Sequence, residues 1–134
     1  MPRPAVLFAV VLLTLTACDR SVGRLPAGGI PALDGTYVGD ASLVLGKAAC
    51  PQEIPYVVTV RNGVATGEAR SPRDRNTVIG RFEGIIDAEG KVGTIARMSG
   101  YETVVEGFFD RDRFLGTTKS DDCTNRLSLR RAGG

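Results

Sequence analysis

Hydrophobic and polar residues alternate with a period of two along most of the chain, from about residue 35 to residue 131. Nowhere in this region does an apolar stripe at helical spacing run for two turns, and alternation of this kind is typical of strands with one buried face. We therefore expect an all-β domain. The alternating segments predict eight strands, at about 36–45, 56–60, 64–70, 78–86, 92–98, 101–109, 114–119 and 123–130.

In each segment, one set of alternate positions is apolar and is predicted to face inward, while the positions between them are polar. The predicted inward positions are Tyr37, Ala41, Leu43, Leu45, Tyr56, Val58, Val60, Val78, Phe82, Ile86, Leu127 and Leu129.

Turn residues join the strands into consecutive hairpins. Asn62-Gly63 favours the positive φ angles of a type I′ turn, and polar turns are predicted at 87–90 and 110–113. After each of these three turns an apolar residue is followed by a glycine, as in Val92-Gly93, at a period of about 22 to 28 residues. This repeat predicts an antiparallel meander.

Eight strands in sequence order favour closure into a small up-and-down barrel, because closure removes the exposed sheet edges. Glycines within the strands favour the barrel over the alternative, a two-sheet sandwich, because strongly coiled sheets use glycine at tight bends. These glycines are Gly39, Gly67, Gly80, Gly84, Gly107 and Gly116.

The N-terminus has the three parts of a secretory signal: a basic residue, Arg3, an apolar run over 5–15, and small residues before Cys18. The run of 11 residues is shorter than the roughly 20 that a membrane-spanning helix needs. We therefore predict a signal peptide at 1–17, a lipidated cysteine and flexible tether at 18–34, a β-barrel domain at 35–131 and a short tail at 132–134.

Leu15-Thr16-Ala17-Cys18 resembles the lipobox of bacterial lipoprotein precursors. The resemblance implies that Cys18 becomes the lipid-modified N-terminus and anchors the protein to a membrane of the bacterial cell envelope, facing the periplasm. The alternative is an ordinary signal peptide with a cysteine after Ala17. Asp19 is associated with inner-membrane retention in enteric bacteria, but other lineages sort differently, so inner and outer membrane both stay open.

With Cys18 assigned to the lipid, two cysteines are left, Cys50 and Cys123. In an oxidising compartment, and with no histidine in the chain, they predict a disulfide rather than a metal site. It would link the end of the first strand to the start of the last. The rival interpretation is a pair of redox-active thiols, although no C-x-x-C spacing is present.

Charge and motifs exclude several classes of function. The chain has a net charge of +2, and loss of Arg3 with the signal leaves about +1, which gives no support for nucleic-acid binding. No histidine is available as a catalytic base, and no nucleophile, phosphate-binding or dinucleotide motif occurs. The pairs Asp110/Asp112 and Asp121/Asp122 are interpreted as turn and loop residues, with a calcium site or acid–base chemistry as the alternative. We expect no enzyme, no cofactor and no metal.

Four arginines crowd the longest connection in the domain and form a candidate loop for an anionic partner: Arg70, Arg73, Arg75 and Arg81. Guanidinium groups bind lipid headgroups, lipopolysaccharide or acidic protein surfaces. The alternative is a solvated loop whose charges pair locally with Asp74 and Glu68.

Residues 35–131, with glycine-containing hairpins between two cysteines, resemble the small exported β domains of many proteobacterial lipoproteins. They are also loosely similar to envelope inhibitor barrels that block proteases or lysozymes, although the tryptophan-rich start of those proteins is replaced here by Asp34-Gly35-Thr36-Tyr37. No inhibitory residue carries over. We expect a non-enzymatic binding or structural module, with a hydrolase inhibitor or a lipocalin-like carrier of a small apolar ligand as alternatives.

Overall fold

The computed structural model of the protein describes residues 31 to 133. The predicted signal peptide, Cys18 and the tether residues 19–30 lie outside the described residues. Among residues 31–133, no helix has both the length and the apolar character needed to cross a membrane.

The described chain contains one short helix followed only by strands. The helix is a single 3-10 turn, Pro31–Leu33. The strands are β1 (Gly35–Gly46), β2 (Glu53–Arg61), β3 (Val64–Arg70), β4 (Val78–Ile85), β5 (Lys91–Met98), β6 (Tyr101–Asp110), β7 (Arg113–Lys119) and β8 (Cys123–Arg131). The predicted set of eight strands is confirmed.

Each strand pairs antiparallel with its neighbour in sequence, and β8 returns to pair with β1. The β1–β8 register runs from Tyr37 opposite Arg131 to Gly46 opposite Cys123. The sheet is therefore a closed up-and-down barrel, as predicted, and not a sandwich.

Aromatic and aliphatic side chains fill the barrel interior. Tyr37 packs edge-on against Phe109 at 5.0 Å between ring centroids, and Phe109 lies 4.7 Å from Phe114. Tyr56 and Phe82 form a second aromatic contact at 6.4 Å. All five rings are buried, so the interior is a packed core.

Side-chain alternation along the strands confirms most predicted inward positions. Tyr56, Val58 and Val60 are buried on β2, and Leu127 and Leu129 are buried on β8. The predicted alternation therefore places these strands correctly.

The end of β1 departs from the prediction. Its pairing with β8 shifts register at a bulge, so that Leu43 lies opposite Asn125 but Leu45 lies opposite Thr124. Because one extra residue in a strand reverses the direction of the following side chains, Leu45 points outward and is 73% exposed. The predicted inward position of Leu45 is wrong.

The tight turns and close strand contacts depend on residue type. Asn62 and Gly63 have φ angles of 53° and 77°, which confirms the two-residue turn with positive φ at both central positions. At Gly67 an added Cβ would lie 2.0 Å from Cε1 of Phe82. The Phe82 ring therefore occupies the space that a side chain at position 67 would need.

The chain enters the barrel at the end that carries the β2–β3, β4–β5 and β6–β7 turns, here called the entry end. Leu33 is buried, and its carbonyl oxygen accepts a 2.8 Å hydrogen bond from the Tyr37 hydroxyl. Arg131 Nη2 donates to the carbonyl oxygen of Ala32 at 2.6 Å. The flexible tether was predicted to extend to residue 34, but Leu33 is buried in the barrel and the carbonyl oxygens of Ala32 and Leu33 are bonded to it.

Candidate binding site at the disulfide end

The remaining four connections meet at the opposite end of the barrel, because alternate connections of an up-and-down barrel lie on the same side. They are residues 47–52, 71–77, 99–100 and 120–122. Cys50 and Cys123 form a disulfide here, with 5.8 Å between their Cα atoms, as predicted. We call this the disulfide end.

The disulfide and an ion pair hold the loop 47–52 against the start of β8. The backbone N–H of Lys47 donates to the carbonyl oxygen of Asp122 at 3.3 Å, and the N–H of Cys50 donates to the carbonyl oxygen of Lys47 at 2.9 Å. Lys47 Nζ lies 2.8 Å from Asp122 Oδ1, and this hydrogen bond raises the pKa of Lys47. The loop is therefore fixed at several points.

A cleft of about 740 Å³ lies between this loop and the β5–β6 and β7–β8 connections. We call it the tyrosine cleft, because Tyr101 is its one aromatic residue and is 46% exposed. Its polar lining is Lys47, Glu102, Ser120, Asp121 and Asp122. The volume is within the usual range for small-molecule sites.

A much smaller cavity, of about 10 Å³, lies directly below the tyrosine cleft. The two spaces share the lining residues Pro51, Tyr101, Ser120 and Cys123. Thr103, Thr118 and Asn125 line the cavity, and all three are buried. A space of this size holds about one water or one oxygen atom of a ligand.

Asn125 is a lining residue of this cavity with an unpaired polar atom. The residue is only 3% exposed, and its side-chain nitrogen Nδ2 has no hydrogen-bond partner among residues 31–133. An unpaired buried donor costs about 1–3 kcal/mol. A ligand acceptor that reaches this nitrogen would remove that cost.

A second groove, of about 690 Å³, lies on the other side of the loop 47–52. Ala49 and Pro51 line both this groove and the tyrosine cleft, so the loop is a ridge between them. The far wall of the groove includes Pro72 and Arg73 from the β3–β4 connection. Both concave surfaces of the disulfide end thus depend on the disulfide-held ridge.

The connection 71–77 is ordered by its own hydrogen bonds. Asp74 Oδ1 accepts from the backbone N–H of Asn76 at 3.0 Å, and Asp74 Oδ2 accepts from Thr77 Oγ1 at 2.7 Å. These bonds lower the pKa of Asp74. The N–H of Ser71 donates to the carbonyl oxygen of Thr77 at 2.9 Å, which closes the loop at its base.

The four arginines of the predicted anionic-partner loop fall into two pairs. Arg70 Nη2 lies 2.9 Å from Glu68 Oε2, and Arg81 Nη2 lies 3.9 Å from Glu68 Oε1. Arg73 and Arg75 are exposed and form no ion pair within the described part of the chain. Glu68 therefore pairs locally with two arginines, whereas Asp74 caps its own loop.

The two aspartate pairs lie at opposite ends of the barrel. Asp110 ends β6 and Asp112 lies in the β6–β7 turn at the entry end, whereas Asp121 and Asp122 line the tyrosine cleft. Across residues 31–133, no group of three or more Cys, Asp or Glu side chains is arranged to hold a metal ion.

No family model, curated protein or solved structure matches the chain. The cleft offers carboxylate acceptors at its rim, one exposed aromatic ring on its wall and one unpaired amide donor at its base.

Sequence analysis did not identify Tyr101 or Asn125 as site residues. A signal for Asn125 is present, because it has the same strand parity as Leu127 and Leu129 and is therefore a polar residue on an inward face. Tyr101 has no such signal, because its exposure depends on how the two connections beside it fold. Of the four arginines of the predicted anionic-partner loop, here called the arginine loop, Arg73 lines the second groove.

Proposed function

We propose that this protein is a lipid-anchored component of the bacterial cell envelope, and that its barrel is a non-enzymatic binding module that presents the disulfide end to a partner. The observation that carries the proposal is that the two ends of the barrel differ. The chain enters at Pro31 on one end, while both grooves, the arginine loop and the disulfide lie at the other.

This arrangement of the two ends suits a protein anchored through Cys18. Residues 18–30 would span at most about 45 Å when fully extended, and they join the barrel at the entry end. A barrel attached in this way directs its disulfide end away from the lipid surface. The partner would then approach from the periplasm, and the lipid supplies the membrane attachment.

The packed interior favours surface binding over the carrier alternative. The small cavity that Thr103 and Thr118 line is about 10 Å³, whereas ligand sites measure hundreds of cubic ångströms. We therefore place the binding surface on the outside of the barrel.

Site-specific photo-crosslinking in intact cells tests this proposal. A photo-crosslinking amino acid at position 73, on the disulfide end, should give one discrete adduct. The same group at position 88, in the β4–β5 turn of the entry end, should give none. Equal crosslinking at both positions would contradict the proposal that the partner binds at the disulfide end. Mass spectrometry of the intact protein should separately show a lipid on Cys18. An unmodified Cys18 would refute the anchor, and the crosslinking result would still stand.

Inhibition of an envelope hydrolase is the second candidate, and the ordered connection 71–77 favours it. An exposed loop that is held by its own hydrogen bonds loses little entropy when it enters a cleft. Arg73 and Arg75 on this loop are exposed and free of carboxylate partners within residues 31–133.

Residual activity of a lysozyme and of a trypsin-like protease should be measured with increasing protein. Inhibition should be lost in an Arg73→Ser/Arg75→Ser variant and kept in Arg113→Ser, which changes an arginine at the entry end. If neither enzyme is slowed by the unaltered protein, the inhibitor candidate loses its support for these two enzyme classes.

A further inference from the structure

We infer that the tyrosine cleft binds an uncharged oligosaccharide, with Tyr101 stacking on a sugar ring and the Asn125 amide donating a hydrogen bond to a sugar oxygen. The inference rests on the proposed role as a binding module and names the ligand class of one of its surfaces. Three observations carry it: the unpaired donor, the charge of the rim and the composition of the walls.

The unpaired donor requires a ligand with an acceptor atom. Asn125 lines the cavity at the base of the cleft, which admits about one atom, and its Nδ2 is buried without a partner. A hydroxyl or carbonyl oxygen fits this space, and it would satisfy the donor. A simple alkyl amine offers no acceptor when protonated and would leave the Asn125 nitrogen unpaired.

The rim charge excludes anionic ligands. Glu102, Asp121 and Asp122 line the cleft, and Lys47 is its one cation. Lys47 is already paired with Asp122 at 2.8 Å, so Glu102 and Asp121 leave an excess of negative charge. A phosphate or carboxylate would be repelled. Carboxylate oxygens are acceptors only, and they are suited to the hydroxyl donors of an uncharged sugar.

The walls of the cleft do not suit an apolar ligand. The cleft contains no leucine, isoleucine, valine or phenylalanine, and its apolar surface comes from one exposed ring, Tyr101, together with small residues such as Ala49 and Pro51. A lipid chain or an apolar peptide side chain would find no matching pocket here. A sugar ring presents C–H bonds on one face, which pack against an aromatic face, and hydroxyls around its edge.

The site is also held in place before any ligand binds. The Cys50–Cys123 disulfide and the Lys47–Asp122 ion pair fix one wall, and the backbone N–H of Ser120 donates to the carbonyl oxygen of Cys123 at 2.9 Å on the next connection. A fixed site loses less entropy on binding, which suits a ligand that makes mainly polar contacts.

Side-chain amide signals provide a direct test, because the chain has only four residues with such groups: Gln52, Asn62, Asn76 and Asn125. The protein is produced in cells that export it and is purified in a detergent without a sugar headgroup. It is then titrated with triacetylchitotriose, cellotriose and maltotriose. We expect at least one to shift the Asn125 amide signals saturably in ¹⁵N spectra. The signals of Asn62, at the entry end, should not move and serve as the internal control.

Two variants separate binding from folding. Tyr101→Ala removes an exposed ring and should weaken binding roughly tenfold or more, while Tyr101→Phe keeps the ring and should retain it. Asn125→Leu should weaken binding roughly tenfold without loss of folded signals, because the change replaces an unpaired donor with an apolar side chain of similar size.

The inference is overturned if none of the three trisaccharides shifts the Asn125 signals at millimolar concentration, or if Tyr101→Ala binds as well as the unaltered protein. The crosslink at position 73 reports on the binding module independently. A position-73 adduct without saccharide shifts would overturn only the ligand class, whereas saccharide shifts without an adduct would leave the cleft assignment intact and contradict the proposed partner surface.

Discussion

Removal of the Cys50–Cys123 disulfide should destabilise the barrel while leaving its folded structure intact. The bond joins residues 73 apart in sequence, and the loop that it closes contains β2 to β7. In the chain-entropy treatment, a link across a loop of this length stabilises a protein by about 4 kcal/mol, because it restricts the unfolded chain. The free energy of unfolding of a Cys50→Ser/Cys123→Ser variant should fall by about that amount.

The structure indicates that the effect acts mainly on the unfolded state. β1 and β8 are already paired along most of their length, from Tyr37 opposite Arg131 to Gly46 opposite Cys123, so the folded barrel stays closed without the covalent bond. The unfolded chain, in contrast, becomes more expanded. The dependence of unfolding free energy on urea should therefore become steeper in the variant.

Urea and thermal unfolding followed by far-UV circular dichroism measure both quantities. Both proteins should carry Cys18→Ser, so that no third thiol is present, and the expected decrease in Tm is roughly 15–30 °C. The reasoning would be refuted if the dependence of the unfolding free energy on urea is unchanged and that free energy falls by less than about 1 kcal/mol. A changed spectrum of the folded variant would show that the disulfide also shapes the native barrel.

Other predictions follow from single contacts. Gly67→Ala should cost about 1–3 kcal/mol in urea unfolding, because its Cβ would lie 2.0 Å from the Phe82 ring, whereas Gly93→Ala, whose Cβ would have its nearest neighbour 3.9 Å away, should cost less than about 0.5 kcal/mol. Tyr37→Phe should cost about 1–2 kcal/mol in the same assay, because the buried hydroxyl bonds to Leu33 and Arg131 at 2.8 Å each; an unchanged stability would mean that these bonds are dispensable. The pKa of Asp74 is lowered from 3.8 by its bonds to Thr77 and Asn76, so order in the loop 71–77 should be complete above that value and be lost as the pH falls through the lower folded-state pKa. Amide protection of Asn76 should decrease below about pH 4, and Asp74→Asn should remove most of that pH dependence.

Sequence alternation was sufficient for the barrel because each strand buries one face only. Tyr56, Val58 and Val60 occupy alternate positions, and the same rule places Leu127 and Leu129 inside. The two-residue turn at Asn62-Gly63 fixes the register between β2 and β3, since a hairpin turn of this type sets which residues face each other. Local rules therefore predict the order and pairing of the strands.

Features that depend on contacts between distant segments were not predictable in this way. The bulge that turns Leu45 outward arises where β1 meets β8, which are far apart in sequence, and alternation along β1 alone cannot reveal it. The tyrosine cleft likewise forms between three connections whose shapes are fixed by contacts such as Lys47 with Asp122. The candidate site thus required the three-dimensional structure, although its ridge depends on a disulfide that the cysteine count predicted.

The two ends of the barrel are held by separate sets of interactions, and this separation bears on the proposed role as an anchored binding module. At the entry end, Arg131 Nη2 donates to Ala32 at 2.6 Å, to the Tyr37 hydroxyl at 2.8 Å and to the Arg111 carbonyl oxygen at 3.1 Å, which ties the incoming chain to β8. At the other end, the disulfide ties the ridge to the start of the same strand. Because sites with no shared partners contribute independently, fraying or pulling where the chain enters should leave the cleft intact. If the proposed N-terminal anchor holds, a barrel pulled through its N-terminus would then keep the proposed binding surface in one geometry.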